Sequence, residues 1–569
     1  MRLQSLNFGE TELISSVKIG QKEVWPPFTF PSGIITVSSD LMLRAACDIG
    51  IGLVTAKSVG ATPREGNPEP IVSQYSVGSI SSAVGLSNPG IDAWTQEMSQ
   101  CHLPEDKFLL VSVFSNNIDE FVELARRVSP FCDGIELNFC CPHSLEYGSV
   151  VACQEQLTAD ITRAVREAVD KVVVVKLTPD GPEIGKWAKK LVDAGADAIA
   201  AIGPTKSVTV VDEHVGAAVL SYGSGGLSGH AILETGLKCV RDIRRHVDVP
   251  IIGGGGIRGA DDVRAYSEAG ADIFAIGTCL AGLDTPSLKT YFQVLQQDLL
   301  DGTDLSSEMA FSGWNLKHSP MVVSSTTRQG EHAILTFESD FEAEPGQFVF
   351  AWLPGVGEKP FGVAGNSPFT LGVRRIGKVS NALCDLELGE EVMIRGPFGK
   401  SFPAGPNVVI VAGGCGAAPV RLLAERCQAP VIVLGAKTGC DVLFEKDFKS
   451  FGETIVVTED GSVGTKGTVI DALKSLLDSG RFAGSTFCNC GPESMLVAAA
   501  NIERDHTDPS RIFMGVERHT SCGVGLCGKC ALDGYRTCVD GPVMSLDQLS
   551  SGGDFGKWHR NSCGAKECV

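Results

Sequence analysis

Short apolar runs alternate with amphipathic stretches along the first half of the chain. The run Val172 to Val175 contains only β-branched residues, which is typical of a strand buried on both faces. Eight apolar runs predict strands at 27–33, 52–58, 108–115, 132–138, 172–178, 197–203, 249–254 and 272–277. Helical patterns lie between them, as at 118–128, 157–169, 183–194, 233–245 and 261–269. The chain is therefore predicted to be α/β, with a closed (β/α)8 TIM barrel over residues 1–305 rather than an open doubly wound sheet.

The second half of the chain has a different pattern. Residues 306–319 show little periodicity and are predicted to be a linker. Residues 320–404 contain short alternating runs between Gly and Pro turns, which predicts a small antiparallel β-barrel. Residues 405–512 return to β/α alternation and predict a nucleotide-binding α/β domain. Residues 513–569 combine a Gly- and Cys-rich segment, too short for a core of its own, with a polar tail.

Composition narrows the choice of partners and compartment. The 569 residues are 43% hydrophobic and 20% charged, which excludes a disordered, collagen-like or coiled-coil protein. The net charge of −20 repels phosphate backbones, so we expect no nucleic-acid partner. The first 17 residues lack the apolar core of a signal peptide, and no long apolar run predicts a membrane span. A cytoplasmic location is expected, where the 20 cysteines favour metal ligands, catalytic thiols or core positions over disulfides.

The sequence carries four cysteines at a diagnostic spacing. Cys522, Cys527, Cys530 and Cys538 follow the pattern C-x4-C-x2-C-x7-C, whose first two gaps are those of plant-type [2Fe–2S] ligation. Zinc and free thiols are the alternatives, and zinc more often uses paired C-x2-C knuckles. The spacing favours an iron–sulfur cluster.

A glycine-rich turn predicts a nucleotide site. The apolar run 408–412 leads into Gly413, Gly414 and Gly416 and then into a helical pattern, which brings backbone N–H groups and a positive helix end to a pyrophosphate. The Cys490-Gly491-Pro492 turn follows another apolar run and would lie at the same sheet edge. A second turn, from Arg374 through Gly377 to Ser380, either binds another diphosphate or is a basic hairpin exposed to solvent.

The predicted barrel has polar residues at the carboxyl ends of its strands, where such barrels hold their chemistry. Lys57 ends the second strand, Asn138 ends the fourth and is followed by Cys141, and Lys176 lies on the fifth. Lysine can neutralise an anionic ring, asparagine can hydrogen-bond a heterocycle and cysteine can move a proton. Glycine-rich turns follow the last three strands, where barrels usually bind phosphate. Core lysines and ordinary turns would explain each feature alone but not their convergence on one rim.

Taken together, these motifs resemble class 1B dihydroorotate dehydrogenase. Residues 25–300 are similar to its catalytic subunit through Ala56-Lys-Ser58, Pro63-Arg-Glu-Gly-Asn-Pro68, Gly85-Leu-Ser-Asn-Pro-Gly90, Glu136-Leu-Asn138 and Cys141-Pro142. Residues 320–545 are similar to its electron-transfer subunit, which is ferredoxin-reductase-like, through the Gly413 turn, Cys490-Gly-Pro-Glu493 and the four cluster cysteines. Both subunits would be fused in one chain.

The resemblance implies four cofactors and an electron path from substrate through FMN, [2Fe–2S] and FAD to NAD, or its reverse. It also implies a small-molecule substrate, a homo-oligomer that is a dimer by analogy, and catalytic residues Cys141, Lys57 and Asn138. FMN would contact Ser32, Lys57, Asn138, Lys176, Gly226, Ser228, Gly254, Gly255, Gly277 and Thr278. FAD would contact Pro360, Phe361, Gly377, Val379 and Ser380, and NAD would contact Gly413, Gly414, Gly416, Gly491 and Pro492.

The sequence departs from the family at positions that face the substrate. Ser82, His143 and Gly203 stand where the family usually has asparagine, and a binding site loses ~1–3 kcal/mol for each buried polar partner left unpaired. Lys359-Pro-Phe-Gly362 replaces the usual Arg-Pro-x-Ser motif. Two alternatives therefore stay open: the same redox chain acting on another small cyclic or anionic compound, and an electron-transfer protein whose barrel only docks another redox protein. NAD and NADP are not distinguished, since Lys437 lies near a position that a 2′-phosphate would reach.

Overall fold

The computed structural model describes residues 15–140, 151, 154–310, 314–550 and 552–569. Eight parallel strands pair in chain order, and the eighth pairs with the first to close a barrel. They are β1 Phe28–Thr29, β2 Leu53–Val59, β3 Phe108–Val113, β4 Gly134–Asn138, β5 Val172–Leu177, β6 Ala198–Ala201, β7 Ile251–Gly254 and β8 Ile273–Ala275. The predicted TIM barrel is confirmed, with strand bounds that differ by a few residues.

Aspartates tie neighbouring strands together at the amino-terminal end of the barrel. Each directly precedes an even-numbered strand and accepts a hydrogen bond of 2.8 or 2.9 Å from a backbone N–H at the start of the strand before it: Asp133 from Leu109, Asp197 from Val173, and Asp272 from Ile251. Helices cover the outside at Ser39–Arg44, Gly90–Met98, Ile118–Val128, Glu155–Ala168, Ile184–Asp193, Leu233–Arg244, Ala260–Ala269 and Thr285–Asp301. This end is therefore built for stability, and the loops at the other end are left for function.

Both ends of the barrel carry added strands. A hairpin of Val17–Ile19 and Lys22–Val24 places Ile19 and Val24 against the apolar interior near the amino-terminal end. The loops after β2 and β6 contribute a four-stranded antiparallel sheet over the opposite end, made of Val72–Ser76, Ser79–Ser82, Thr205–Val208 and Gly225–Gly229. A short hairpin of Val211–Asp212 and Ala217–Ala218 extends from the same region.

A second, smaller barrel follows. Six antiparallel strands close in the order β9-β10-β13-β12-β11-β14, as predicted for a small antiparallel β-barrel. They are β9 Ser319–Gln329, β10 His332–Phe337, β11 Phe348–Leu353, β12 Gly357–Asn366, β13 Phe369–Arg374 and β14 Glu391–Phe398. The helix Lys378–Asp385 packs on this barrel and adds Leu383 and Cys384 to its apolar core.

The third sheet is parallel apart from one edge strand. Its order is β18-β17-β16-β15-β19-β20-β21, with β15 Val408–Gly413, β16 Val431–Ala436, β17 Glu453–Thr458, β18 Thr465–Lys466, β19 Thr486–Cys490, β20 Ile512–Gly515 and β21 Val543–Ser545. Helices cover it at Ala417–Arg426, Glu445–Phe451, Val469–Leu477 and Glu493–Glu503. The antiparallel strand β21 comes after the cysteine segment, so the chain leaves this sheet at β20, forms the segment and returns.

Apolar side chains from both halves of the chain form one shared cluster. The large barrel contributes Ile71 and Ile80, the small barrel Phe348 and Phe350, the predicted linker Leu316, and the cysteine segment Val524 and Leu526. Because these residues are buried together, the parts of the chain form one packed body. No helix in the described residues combines the length and the apolar character that crossing a membrane would require.

The polar tail, which sequence analysis leaves unassigned, returns to the large barrel. Strands Trp558–Arg560 and Lys566–Cys568 form a hairpin, and Arg560 donates two hydrogen bonds, of 2.8 and 2.9 Å, to the carboxylate of Glu97. Although burial raises the pKa of Glu97, Arg560 and hydrogen bonds from Ser39 lower it to about 2. Glu97 is therefore a mostly buried anion that depends on the almost fully buried Arg560.

Arg560→Met should lower the free energy of unfolding by about 3 kcal/mol, since it removes one partner of a buried pair and leaves the other charge uncompensated. Urea unfolding at neutral pH measures the change. Lys566→Met on the same hairpin is the control, because the pair of Lys566 with Asp554 is partly exposed to solvent and should contribute at most about 1 kcal/mol. Equal effects of the two substitutions would contradict the role given to Arg560.

Candidate functional site

A network of small polar side chains lines the mouth of the large barrel. Asn138, at the end of β4, is buried and donates from Nδ2 to Ser58 Oγ at 2.9 Å. Ser58 also lies 2.9 Å from Ser32 Oγ. Lys57, beside Ser58 on β2, has its Nζ 3.6 Å from the position that a Cβ at Gly33 would take. The structure thus places Lys57 and Asn138, predicted from strand ends, close to Ser32, which the family resemblance implied.

Lys176 lies deeper in the same mouth, next to an acid. Its Nζ is 3.9 Å from Oε1 of Glu136, and both side chains are almost fully buried. Within the described part of the chain, Oε1 of Glu136 has no hydrogen-bond partner. Both residues line a cavity that Gly254 and Gly255 also border. A ligand that donates a hydrogen bond would satisfy the Glu136 oxygen.

Glycine-rich loops follow the last three strands of the barrel, and one of them borders this cavity through Gly255. Gly255 has a φ of +123°, which favours glycine and lets the backbone turn away after β7. Thr278, just after β8, donates from Oγ1 to Ser228 Oγ at 3.1 Å. Gly226 pairs in register with Ser82, so the Ser82 position belongs to the sheet that covers the mouth. The hydroxyls of Ser228 and Thr278 therefore meet between the loops after the sixth and eighth strands, and the last loops are where such barrels usually bind phosphate.

Cys140 occupies the space beside Gly203. A Cβ at Gly203 would lie 2.6 Å from Cys140 Sγ, so a larger side chain there would require Cys140 to move. Cys140 Sγ is in turn 3.1 Å from Asn138 Oδ1. The thiol of Cys140 thus fills the space that an asparagine side chain at position 203 would need. The predicted catalytic residue Cys141 and the nearby His143 lie outside the described residues.

Four cysteines meet in a buried pocket. The Cys522 thiol is within hydrogen-bonding reach of those of Cys527 and Cys538, and the Cys530 thiol is within reach of Cys538. All four are buried, and Gly525 donates its N–H to Cys538 Sγ at 3.2 Å. Glycines here let N–H groups approach sulfur closely, which is typical of iron–sulfur sites.

In the part of the chain that the structure describes, the geometry of the side chains does not by itself identify a metal centre, and this includes the four cysteines. The assignment of a cluster to the four cysteines therefore rests on their spacing and on their shared burial.

The cysteine loop lies directly on the loop that lines the barrel mouth. Ile35 donates its N–H to the carbonyl of Leu526 at 2.9 Å, and Gly282, past β8, donates to the carbonyl of Val524 at 3.0 Å. Ser32, three residues before Ile35, belongs to the polar network of the mouth. One short loop therefore connects the cysteine pocket with the barrel site.

The two turns predicted to bind NAD in the second half of the chain lie next to each other. A Cβ at Gly416 would lie 2.3 Å from the carbonyl oxygen of Cys490, so the turn holding Gly413, Gly414 and Gly416 contacts the turn of Gly491 and Pro492. Their strands, β15 and β19, are adjacent and parallel.

The residues predicted to bind FAD lie on the small barrel. Pro360 and Phe361 lie on β12. Gly377, Val379 and Ser380 lie where its helix begins, and there Ser380 Oγ accepts the N–H groups of Ile376 and Gly377.

Glu69 is a residue that sequence analysis misses. It follows β2 in the large barrel, yet it accepts from Lys359 Nζ at 3.0 Å and from Ser521 Oγ at 2.7 Å, and lies 3.3 Å from His519 Nε2. Although burial raises the pKa of Glu69, His519, Lys359 and Ser521 hold it well below its ordinary value. The partners are 290 and 452 residues away, so no local pattern signals this contact.

Comparisons with known proteins match each half of the chain. The family model for dihydroorotate dehydrogenase matches residues 15–299, and the model for the iron-sulfur cluster binding domain of dihydroorotate dehydrogenase B matches residues 517–550. These matches agree with the resemblance drawn from the sequence motifs.

Curated relatives of two kinds are similar to the chain. One is a probable dihydroorotate dehydrogenase B (NAD(+)), electron transfer subunit, of Methanocaldococcus jannaschii, 37% identical over 236 residues that cover 40% of this chain and 90% of that protein. Another is the dihydroorotate dehydrogenase B (NAD(+)), catalytic subunit, of the same organism, 36% identical over 256 residues that cover 44% of this chain and 82% of that protein. A probable dihydroorotate dehydrogenase B (NAD(+)), electron transfer subunit, of Pyrococcus furiosus is 37% identical over 227 residues, which cover 39% of this chain and 87% of that protein.

Proposed function

This chain belongs to the dihydroorotate dehydrogenase family, and we propose that it performs the complete B-type reaction within one polypeptide. Dihydroorotate is oxidised to orotate at the mouth of the large barrel, and the two electrons reach NAD on the third sheet. The observation that carries this proposal is the hydrogen bond from Ile35 to Leu526, because it joins the barrel mouth to the cysteine pocket.

The residues at the barrel mouth fit a bound FMN. The unpartnered Glu136 oxygen and the neighbouring Lys176 suit a polar ring or chain of hydroxyls, and Thr278 with the Gly255 turn suits a phosphate. Glycine at 255 also lets the backbone approach a ligand closely. A flavin can accept two electrons from a carbon substrate and release them singly, which suits a one-electron iron–sulfur partner. Ser32, Gly226, Ser228, Gly254 and Gly277 complete the proposed FMN site.

The chain's own residues would position the substrate and move its proton. Lys57 carries a positive charge at the rim, which favours a carboxylate substrate, and Asn138 is held in place by Ser58 and can hydrogen-bond a heterocycle. Cys141 would remove a carbon-bound proton as general base. Lys57 and Asn138 would orient the substrate and Cys141 would take its proton, so these three residues are the proposed catalytic set.

The second half would carry the electrons onward. We assign the [2Fe–2S] cluster to Cys522, Cys527, Cys530 and Cys538. FAD would lie along the small barrel between Pro360–Phe361 and Gly377–Ser380, with Val379 at the helix start. NAD would lie over the adjoining turns of Gly413–Gly416 and Gly491–Pro492. A dimeric assembly and a cytoplasmic location accompany this proposal as predictions.

Titration with orotate tests the proposal. Orotate added to the oxidised protein should change the visible flavin spectrum, and dihydroorotate without air should bleach it. Cys141→Ser should slow the bleaching by about 10²–10⁴-fold, the usual contribution of a general base, while electron flow from NADH to a dye persists. Cys47→Ser, an exposed thiol on the same barrel, is the control and should have no effect.

A different small substrate is the second candidate function, and the packing of Cys140 against Gly203 favours it, because it leaves no room for an amide at that position. Under this alternative the protein still contains FMN, FAD and iron, and NADH still reduces the dye, but orotate leaves the spectrum unchanged. A protein that releases FAD but no FMN would contradict both functions and would favour a barrel that only docks a redox partner.

A further inference from the structure

A fully buried arginine donates hydrogen bonds to the loop that contains the first cluster cysteine. Arg395, on β14 of the small barrel, has no exposed side-chain surface. Its Nη1 donates to the carbonyl of Cys522 at 3.1 Å and its Nη2 donates to the carbonyl of Ser521 at 3.3 Å. The guanidinium also lies 3.9 Å above the ring of Phe350, which belongs to the same apolar cluster as the four cysteines. A full positive charge is therefore held in apolar surroundings beside the cysteine pocket.

A buried carboxylate holds the guanidinium of Arg395 in place. Glu358, on β12, accepts from Arg395 Nε at 2.7 Å and from Nη2 at 2.6 Å. Although complete burial raises the pKa of Glu358, Arg395 and His318 hold it below its ordinary value. Glu358 is bonded by Nε and Nη2, which leaves Nη1 to the Cys522 carbonyl, so one edge of the guanidinium remains directed at the cluster loop.

A histidine from the segment that connects the two halves of the chain contacts the pair of Arg395 and Glu358. His318 places Nε2 2.8 Å from Glu358 Oε1, and its ring lies 4.8 Å from that of Trp352. Its side chain is 1% exposed. The predicted linker therefore reaches the cluster loop through two side chains, Glu358 and Arg395, and is more than a tether.

Packing alone does not explain this arrangement. A buried ion pair can usually be replaced by apolar residues of similar volume without loss of stability, because desolvation offsets the attraction. What apolar residues cannot supply is a cation aimed at the backbone of a cluster ligand. The potential of an iron–sulfur cluster responds to nearby charge and hydrogen bonds.

We propose that Arg395, oriented by Glu358 and His318, is a positioning residue for electron transfer that fixes the Cys522 backbone and raises the reduction potential of the cluster. This inference rests on the proposed function, since it presumes that the four cysteines hold [2Fe–2S]. A nearby positive charge stabilises the reduced cluster, which carries one more negative charge than the oxidised one. Arg395 thus makes the cluster a better electron acceptor.

Redox titration of the whole chain, followed by electron paramagnetic resonance, tests the inference. Arg395→Met should lower the midpoint potential, and Glu358→Gln should raise it, because it leaves the arginine without its counter-charge. We expect a change of at least tenfold in the ratio of reduced to oxidised cluster at a fixed potential, which is 59 mV for one electron. Shifts of the same sign in both variants, or no shift, would overturn the electrostatic role.

Two further variants keep the test decisive. Arg395→Lys preserves the charge but not the guanidinium fork that bonds both carbonyls, so the cluster that it retains should keep a potential close to that of the unaltered chain. If both Arg395→Met and Arg395→Lys lose iron, the fork positions the cluster loop and Glu358→Gln decides the electrostatic role. If neither loses iron, the positioning role is overturned and the potentials alone decide the electrostatic one. Arg244→Met, which breaks a pair with Asp272 at the opposite end of the large barrel, should reduce stability without moving the potential. No resonance in the unaltered, reconstituted chain would instead refute the proposed function.

Discussion

Replacing Cys530 with serine should stop the reduction of NAD by dihydroorotate, while NADH still reduces an artificial dye. Cys530 is buried among the other three cysteines, within reach of Cys538, so serine there removes a thiolate that iron requires. Removing a residue that only hydrogen-bonds a metal ligand typically lowers metal affinity or activity by about 10–100-fold. Removing a ligand itself should therefore lower the rate of NAD reduction by dihydroorotate by about 100-fold or more. Steady-state assays with each acceptor measure the two activities.

The matched control is Cys563→Ser. Cys563 lies in the C-terminal hairpin, is only partly buried, and lacks the spacing of the cluster ligands. This variant should keep its iron content and both activities. If Cys530→Ser still coupled dihydroorotate to NAD at a normal rate, electrons would not pass through the cysteine pocket. If Cys530→Ser instead lost dye reduction as well, the substitution would have disturbed the FAD half and not only the connection.

The strands of the large barrel are predictable because each is buried on both faces. A run such as Val172 to Val175 carries its burial in its own composition, and the same holds for β15 in the third sheet. The cluster cysteines are predictable for a related reason, since they lie within 17 residues of one another and their spacing reflects the geometry of one ligand. Local sequence is sufficient wherever the partners are local.

The contacts between the halves could not be predicted, because their partners are distant in sequence. Arg395 occupies a strand in which a single arginine would be expected to face solvent, and only the cluster loop, 127 residues away, makes its burial reasonable. The tail cannot be assigned from its sequence, because its polar residues are typical of an exposed segment. Its packing depends on Glu97, 463 residues earlier, which supplies the counter-charge. Polar residues buried by tertiary partners carry no periodic signal of their own.

Glu503→Gln should remove the loss of stability that the burial of this carboxyl causes in the unaltered chain between about pH 5 and 9. Glu503 is completely buried, and Oε2 accepts from Asn489 Nδ2 at 2.9 Å. Within the described residues, Glu503 Oε1 and Asn489 Oδ1 have no hydrogen-bond partner, and a proton on the carboxyl would supply a donor. Burial raises the pKa of Glu503 from 4.5 to about 8, and the bond from Asn489 lowers it only in part.

The direction of the pH effect follows from that raised pKa. Below pH 4.5 the carboxyl of Glu503 is protonated in both the folded and the unfolded chain, so its contribution to stability is complete. As the pH rises toward 8 only the folded chain keeps the proton, and stability falls by about 1.4 kcal/mol per pH unit, or about 4–5 kcal/mol in all. Glutamine stays neutral and keeps an N–H donor, so calorimetry at pH 9 should show Glu503→Gln unfolding at the higher temperature, with little difference at pH 5. Glu342→Gln, an exposed substitution, should follow the unaltered chain at every pH, and a Glu503→Gln curve parallel to it would show that the buried carboxyl does not titrate in this range.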